Sequence, residues 1–276
     1  MEHAFYDSLK ILPFLFITYL VMEALEKKAG EKTNLWLEKA GKAGPIAGGF
    51  LGVIPQCGMS TAASNLYAGR IISVGTLVAI YLSTSDEMLP IMISRSVDTM
   101  VIAKILAIKV VFAMTAGFLI DFVYCIIKKE RHQEMKIHDF CEHEHCHCED
   151  GVLKSALRHT LQIFLFVFLI TVVLNIGVEV IGEEQLANFI LNRPVLGPVL
   201  AGMIGLLPNC AASVVITQMF LDGLMSFGTM MAGLLVGAGV GILVLLRVNE
   251  DKTESFKIIG ALYSVGVLGG IFLNAF

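Results

Sequence analysis

Apolar residues run in long blocks over residues 9–25, 71–93, 97–127, 156–181, 224–246 and 257–276, with short polar stretches between them. A helix needs about 17 to 25 predominantly apolar residues to cross the hydrocarbon core of a bilayer, so each block predicts a membrane-spanning helix. Two further stretches, 45–66 and 198–219, are apolar but interrupted by Pro55 and Pro208, each with a glycine three positions before it. An interior proline removes a helical hydrogen bond and clashes with the preceding turn. Each of these stretches therefore predicts two half-helices, arranged either as a re-entrant hairpin or as an interrupted span. The pattern as a whole predicts an all-α polytopic membrane protein with broken or re-entrant helices at the midplane.

The two interrupted stretches are copies of one another. Residues 52–60 read GVIPQCGMS and residues 205–213 read GLLPNCAAS. Pro198 follows Pro45 by 153 positions, and the same interval separates Gly52 from Gly205, Pro55 from Pro208, Cys57 from Cys210 and Ser60 from Ser213. It continues without a gap through Ser73 and Ser226, Gly75 and Gly228, Lys104 and Lys257, and Gly117 and Gly270. The chain thus divides into a first membrane repeat over 1–127, a polar loop over 128–154 and a second membrane repeat over 155–276.

Composition agrees with this reading: 56% of the 276 residues are hydrophobic and 16% charged, too apolar a balance for an ordinary soluble domain. The net charge of −4 is spread among loops, and nothing points to nucleic acid. No cleavable signal is expected, because Met1 is followed by polar and acidic residues and no small-residue site closes the first apolar run. The basic residues set a topology. If each half crosses the membrane an odd number of times, Lys27, Lys28, Lys32, Lys39, Lys42, Arg70, Lys128, Lys129, Arg131, Lys136, Lys154, Arg158, Arg247 and Lys252 fall on one side, and Lys10, Arg95 and Arg193 on the other. Positive charge favours the cytoplasmic side. The expectation is two inverted-topology repeats in the cell membrane, with the central loop cytoplasmic and both termini outside.

Candidate chemistry concentrates in three places. The copied motifs offer amide oxygens from Gln56 and Asn209, hydroxyls from Ser60 and Ser213, thiols from Cys57 and Cys210, and backbone carbonyls freed by Pro55 and Pro208. Paired breaks of this kind are where secondary transporters hold their cargo; the alternative is that small residues simply let helices pack closely. The second place is Ser83-Thr84-Ser85-Asp86-Glu87, which interrupts an apolar run with three hydroxyls and two carboxylates. A carboxylate at membrane depth normally faces a cavity and handles cations or protons, although these two could instead mark a helix end at the interface. The matching stretch of the second half, residues 236–241, holds glycines and no polar side chain. The expectation is that the acidic stretch serves the copied motif of its own half, leaving the second copy only glycines. Lys104 and Lys257 are expected to snorkel towards the headgroups, with an ion pair from Lys104 to Asp86 or Asp98 as the alternative; Glu179 and Asp222 are expected at the interface. The third place is the loop containing His138, Cys141, His143, His145, Cys146, His147 and Cys148, which holds four of the seven histidines and three of the six cysteines. Such tracts bind borderline and soft metals. Their spacing matches no closed zinc motif, so the loop reads as a mobile metal-capture or sensing element, with a merely solvated linker as the alternative.

Several of these pieces occur together elsewhere. IPQCGMS at 54–60, NLYAGR at 65–70, STSDE at 83–87, PNCAAS at 208–213, and GAGVG at 237–241 followed by RVN at 247–249 resemble the ten-transmembrane heavy-metal exporter family, whose members carry the labels manganese transporter or arsenic efflux protein. The resemblance covers nearly the whole chain and implies a polytopic metal-efflux permease with a His-rich central loop. Ten spans are reached if each interrupted segment counts as two.

The resulting expectation is a secondary active exporter of a divalent transition metal such as Mn2+, exchanged for protons, with the metal as cargo and no resident cofactor. Asp86 and Glu87 would hold the cation, and Ser83, Thr84, Ser85, Gln56, Cys57, Ser60, Asn209, Cys210 and Ser213 would complete the site. Arsenite or an organoarsenical is the alternative cargo, but it prefers clustered thiolates and the membrane segments offer only Cys57, Cys210 and Cys125. Neither a phosphate-binding GxxxxGK[ST] loop nor a DKTG motif is present, since Asp251-Lys252-Thr253 is followed by Glu254, which argues against ATP-driven pumping. A metal sensor and an intramembrane metalloenzyme are competitors of another class; the second finds only His159 near a span. The expected partners are lipids, the metal ion and protons, with self-association left open.

Overall fold

The computed structural model describes residues 43–127 except Pro55, Gln56 and Asp86, residues 195–275, and scattered positions within 13–20 and 157–172. The described residues are helical and contain no strand. Five helices come from the first half: α1 (Gly44–Leu51), α2 (Cys57–Ala68), α3 (Val74–Ser83), α4 (Met88–Ser94) and α5 (Thr99–Ile127). Five come from the second: α6 (Leu196–Gly205), α7 (Cys210–Leu221), α8 (Phe227–Val236), α9 (Gly241–Val248) and α10 (Lys252–Asn274).

The sequence interval of the repeat is kept in the helices. α2 and α7 begin at the two copied cysteines, and α3 and α8 occupy equivalent positions from first residue to last. Local chemistry accounts for these starts. Ser73 caps α3 by accepting the Thr76 N–H at 3.1 Å, and Ser226 caps α8 by accepting the Thr229 N–H at 3.3 Å. Pro45 sits in the first turn of α1, where its missing N–H costs nothing. Pro90 is tolerated in the first turn of α4 for the same reason.

The neighbours of the glycines give the helix directions. Gly44 lies against Thr76 and Gly52 against Ser83, so α1 runs beside α3 in the same sense. Ser64 of α2 bonds Tyr81 of α3 at 2.7 Å, so α2 runs back and α1–α2 is a hairpin whose two ends lie at one level. Of the two arrangements open for the first interrupted stretch, the structure has the hairpin. Gly75 meets Gly117 and Asp121, which makes α5 antiparallel to α3. With 29 residues, α5 spans roughly 43 Å at 1.5 Å per residue. The second half repeats the plan: Gly197 lies against Thr229, Gly205 against Gly233, and Gly228 against Gly270 and Asn274.

The halves interlock through their broken elements. α2 packs on α9 of the other half, and α7 packs on α4. Fully buried Leu77, Tyr81, Leu82, Met88, Leu235 and Leu262 belong to the core between them. Phe122 and Ile126 of α5 and Leu268 and Phe272 of α10 lie exposed on the outside, the surface expected of helices that face lipid. Phe16, Leu20 and Phe166, from the flanking apolar runs, pack beside Val240, Val244 and Val248.

Candidate functional site

Both halves break at the same depth. α3 ends at Thr84, whose extended backbone turns the chain away from the helix, and α8 ends at Gly237. α7 begins at this level, capped by Asn209 Oδ1 accepting the Ala211 N–H at 3.2 Å. The ends of α3 and α8 and the start of α7 enclose a cavity bordered by Thr84, Ser85 and Met88 from the first half and by Gly205, Asn209, Ser213, Leu234, Gly237 and Gly239, among others, from the second.

Of the residues expected at the site, the structure brings together Thr84, Ser85, Asn209 and Ser213. Pro208 is half-buried in the turn just before Asn209, and Glu87 is half-buried just before α4. Ser83 is buried away from the cavity lining, with its hydroxyl directed at the carbonyls of Ala79, Ile80 and Gly48. Pro55, Gln56, Asp86, the side chains of Cys57 and Cys210, and His138, Cys141, His143, His145, Cys146, His147 and Cys148 lie outside the described residues. So does Glu179; Asp222 follows α7 and is half-exposed beside Arg95.

Thr84 and Ser85 of the acidic stretch face Asn209 and Ser213 of the second copy, which the expectation left with glycines alone, while Ser83 lies against Gly52 of the first copy. Ser60 of the first copy is buried against the glycines of the second half: a Cβ on Gly241 would lie 2.8 Å from that of Ser60. Beside it, the Gly241 carbonyl accepts from Ser64 Oγ at 2.8 Å and from Tyr81 OH at 3.1 Å. The reason is exchange between halves. Each broken helix continues past its break to cover the hairpin of the other half, a relation that no comparison of a half with itself contains. Close packing of small residues therefore describes the surroundings of Ser60, whereas Ser213 borders the cavity.

The hydroxyls are oriented by the protein. Thr84 Oγ1 donates to the Ile80 carbonyl at 2.8 Å and Ser85 Oγ to the Ser83 carbonyl at 3.0 Å. With their hydrogens committed, these oxygens keep lone pairs for an electron-poor partner.

A buried charged group at this depth is one that the sequence pattern did not single out. Lys109 of α5 is fully buried, and its Nζ donates to the Thr84 carbonyl and, at 3.1 Å, to the Leu234 carbonyl. Both carbonyls belong to interrupted helix ends. Leu234 would accept the Ala238 N–H in a continuous helix, but that N–H turns to Val236 at 2.8 Å. Lys104 and Lys257, the lysines that do repeat, are exposed. The position equivalent to Lys109 in the second half is Leu262, so a lysine without a copy near the middle of a long apolar run was the available signal.

Residues 4–185 and 147–276 match the model of a family described as "Putative, 10TM heavy-metal exporter". The chain belongs to this exporter family. The resemblance read from the motifs is thereby shown across the chain, and with it the class of polytopic membrane protein. Four helical stretches among the described residues of this family member are long and apolar enough to cross a membrane: Val74–Ser94, Thr99–Ile126, Phe227–Val248 and Lys252–Asn274. No curated protein and no solved structure matches the chain significantly.

Proposed function

We propose that this family member is a secondary active exporter of a divalent transition metal ion such as Mn2+, exchanged for protons, and that the cavity between the halves is the cargo site. The observation that carries the reading is a single cavity bordered by the interruptions of both halves, with Thr84 and Ser85 on one side and Asn209 and Ser213 on the other. The committed hydroxyl hydrogens leave oxygen lone pairs, and hard oxygen donors suit ions of the Mn2+ type. Asp86 and Glu87, next along the chain, would supply negative charge. Gln56, Cys57 and Cys210 would add ligands, and Pro55 and Pro208 would free backbone carbonyls for the site.

Alternating access would follow from two halves of opposite sense. In support, Arg70, in the turn after α2, bonds Glu254 at the start of α10, while Tyr124 near the end of α5 bonds the same carboxylate. The level at which α5 finishes is therefore the level at which its counterpart α10 begins. Arg70, Arg247 and Lys252 lie at that level, and the basic stretch 128–154 follows α5 directly in the sequence; the positive-inside rule would assign this side to the cytoplasm of a cell membrane. There the His/Cys loop would deliver metal.

Proteoliposomes of the purified chain, loaded in turn with Mn2+, Zn2+, Co2+, Cd2+ or arsenite and subjected to a pH gradient, test the proposal. Flux of a divalent ion that depends on the gradient and is lost in Asp86→Ala with Glu87→Ala is the expected result. Flux unchanged in the double variant refutes the site, and no divalent flux at all refutes the function. Arsenite remains a second reading because the Met88 thioether borders the cavity and Cys210 opens α7 beside it; flux in the arsenite arm alone selects it.

A further inference from the structure

Lys109 plays no part in the mechanism above, yet it occupies the most constrained position at the site. Its ammonium is fully buried and held by two backbone carbonyls, one from each half. Both carbonyls sit at the C-terminal ends of helices, α3 and α8, where unsatisfied carbonyls and the helix dipole favour a positive charge. Both residues also border the cavity. Two helix ends converging on one point, with carbonyl oxygens turned towards it, make a cation site, and the cation in it is Lys109. The asymmetry of the molecule supports a specific role: the equivalent position, Leu262, is equally buried and carries no charge. A lysine needed only to fill space there would have no reason to differ from its copy.

We propose that Lys109 is a resident cation that competes with the cargo for the Thr84 and Leu234 carbonyls, so that a divalent ion binds by displacing the ammonium and is expelled when the ammonium returns. This rests on the reading of the cargo as a divalent cation and adds how the site sets its affinity. A binding-competent state that is only fractionally populated weakens apparent affinity by that fraction. Lys109 on its carbonyls is the incompetent state. Its return gives an exporter a means of release, because a cation held by carbonyls, hydroxyls and carboxylates alone would leave slowly.

The test is Mn2+ binding by calorimetry to the detergent-solubilised full chain, comparing wild type with Lys109→Gln, Lys109→Met and Lys109→Arg. Removal of a competitor that fills the site nine-tenths of the time tightens binding about tenfold, so both neutral variants should bind at least that much more tightly and Lys109→Arg should not. Release from preloaded proteoliposomes should slow in the neutral variants. Binding that is equal to or weaker than wild type in the neutral variants overturns the inference while leaving the divalent cargo in place. No Mn2+ binding by any of the proteins, wild type included, overturns both. Should the neutral variants fail to fold, reductive dimethylation of Lys109 in the wild type, read by mass spectrometry, decides instead. Displacement predicts faster labelling with Mn2+ present, and unchanged or slower labelling overturns the inference.

Discussion

Arg70 Nη2 stands 2.9 Å from Glu254 Oε2, tying the turn after α2 to the first turn of α10 and so one half of the molecule to the other. The pair belongs to a network: Tyr124 donates to the second oxygen of Glu254, and the Arg70 guanidinium lies 5.3 Å from the centre of the Tyr67 ring. At the opposite end, the pair among the described residues is Arg95 and Asp222, 3.6 Å apart with side chains 53% and 49% exposed. Among the described residues, one end of the protein is therefore held by a sheltered ionic network and the other by a solvated pair.

Removing one partner of a buried ion pair costs about 3–5 kcal/mol, whereas an exposed pair is worth about 0–1 kcal/mol. Glu254→Ala should accordingly lower the thermal midpoint of the purified protein far more than Asp222→Ala. Equal shifts in a detergent melting series would show the two ends to be equivalent.

Asp121 and Asn274 occupy equivalent places and do the same work. Asp121 accepts from Ser73 Oγ and the Gly75 N–H, both at 2.7 Å, and Asn274 accepts from Ser226 Oγ at 2.8 Å and the Gly228 N–H at 3.0 Å. The bonds need an oxygen acceptor, not a charge. Asp121→Asn should be tolerated, while Asp121→Ala leaves two sheltered donors unmet at about 1–3 kcal/mol each. Melting midpoints of the two variants check the contrast.

A Cβ on Gly75 would meet the Gly117 carbonyl oxygen, which as backbone cannot move aside. Gly75→Ala is expected to abolish accumulation of folded protein. Gly260, inside α10, has nothing within 4 Å of its Cβ position, so Gly260→Ala should stabilise by about 0.4–1 kcal/mol through backbone entropy. Size-exclusion profiles and melting curves of the two variants read this directly.

Ser85 and Ser213 border the cavity and Ser60 does not. At about 1 kcal/mol for each oxygen partner lost, Ser85→Ala combined with Ser213→Ala should weaken Mn2+ binding roughly thirtyfold and Ser60→Ala should barely change it. The reverse order in a calorimetric comparison would move the cargo site to the first copy.

Deleting residues 138–150 should leave transport working and raise the metal concentration at which it half-saturates. Loss of all flux from a normally folded deletion protein would assign the His/Cys loop to the pathway itself.

Hydrophobic run length, two misplaced prolines and a fixed repeat interval were enough to read the membrane class and the breaks near Pro55 and Pro208, because each is a property of a short segment or of the chain compared with itself; the spans expected over 71–93 and 224–246 are each divided in two, at Thr84 and Gly237. The same comparison singled out Lys104, which has a copy, and passed over Lys109, which has none. The copied lysine is exposed, and the uncopied one is buried between Thr84 and Leu234.

The sequence by itself determined that two like halves, each interrupted at a P-[QN]-C-x-x-S motif, make a membrane protein that resembles the exporter family. Only the tertiary structure decided that Thr84 and Ser85 of one half face Asn209 and Ser213 of the other, and that a lysine joins the two interrupted helix ends. The physical reason is that hydrophobicity, helix breaking and duplication are local or self-referential. Whether a hydroxyl lines a cavity, or a lysine snorkels or stays buried, depends on neighbours far along the chain, as Leu234 is from Lys109.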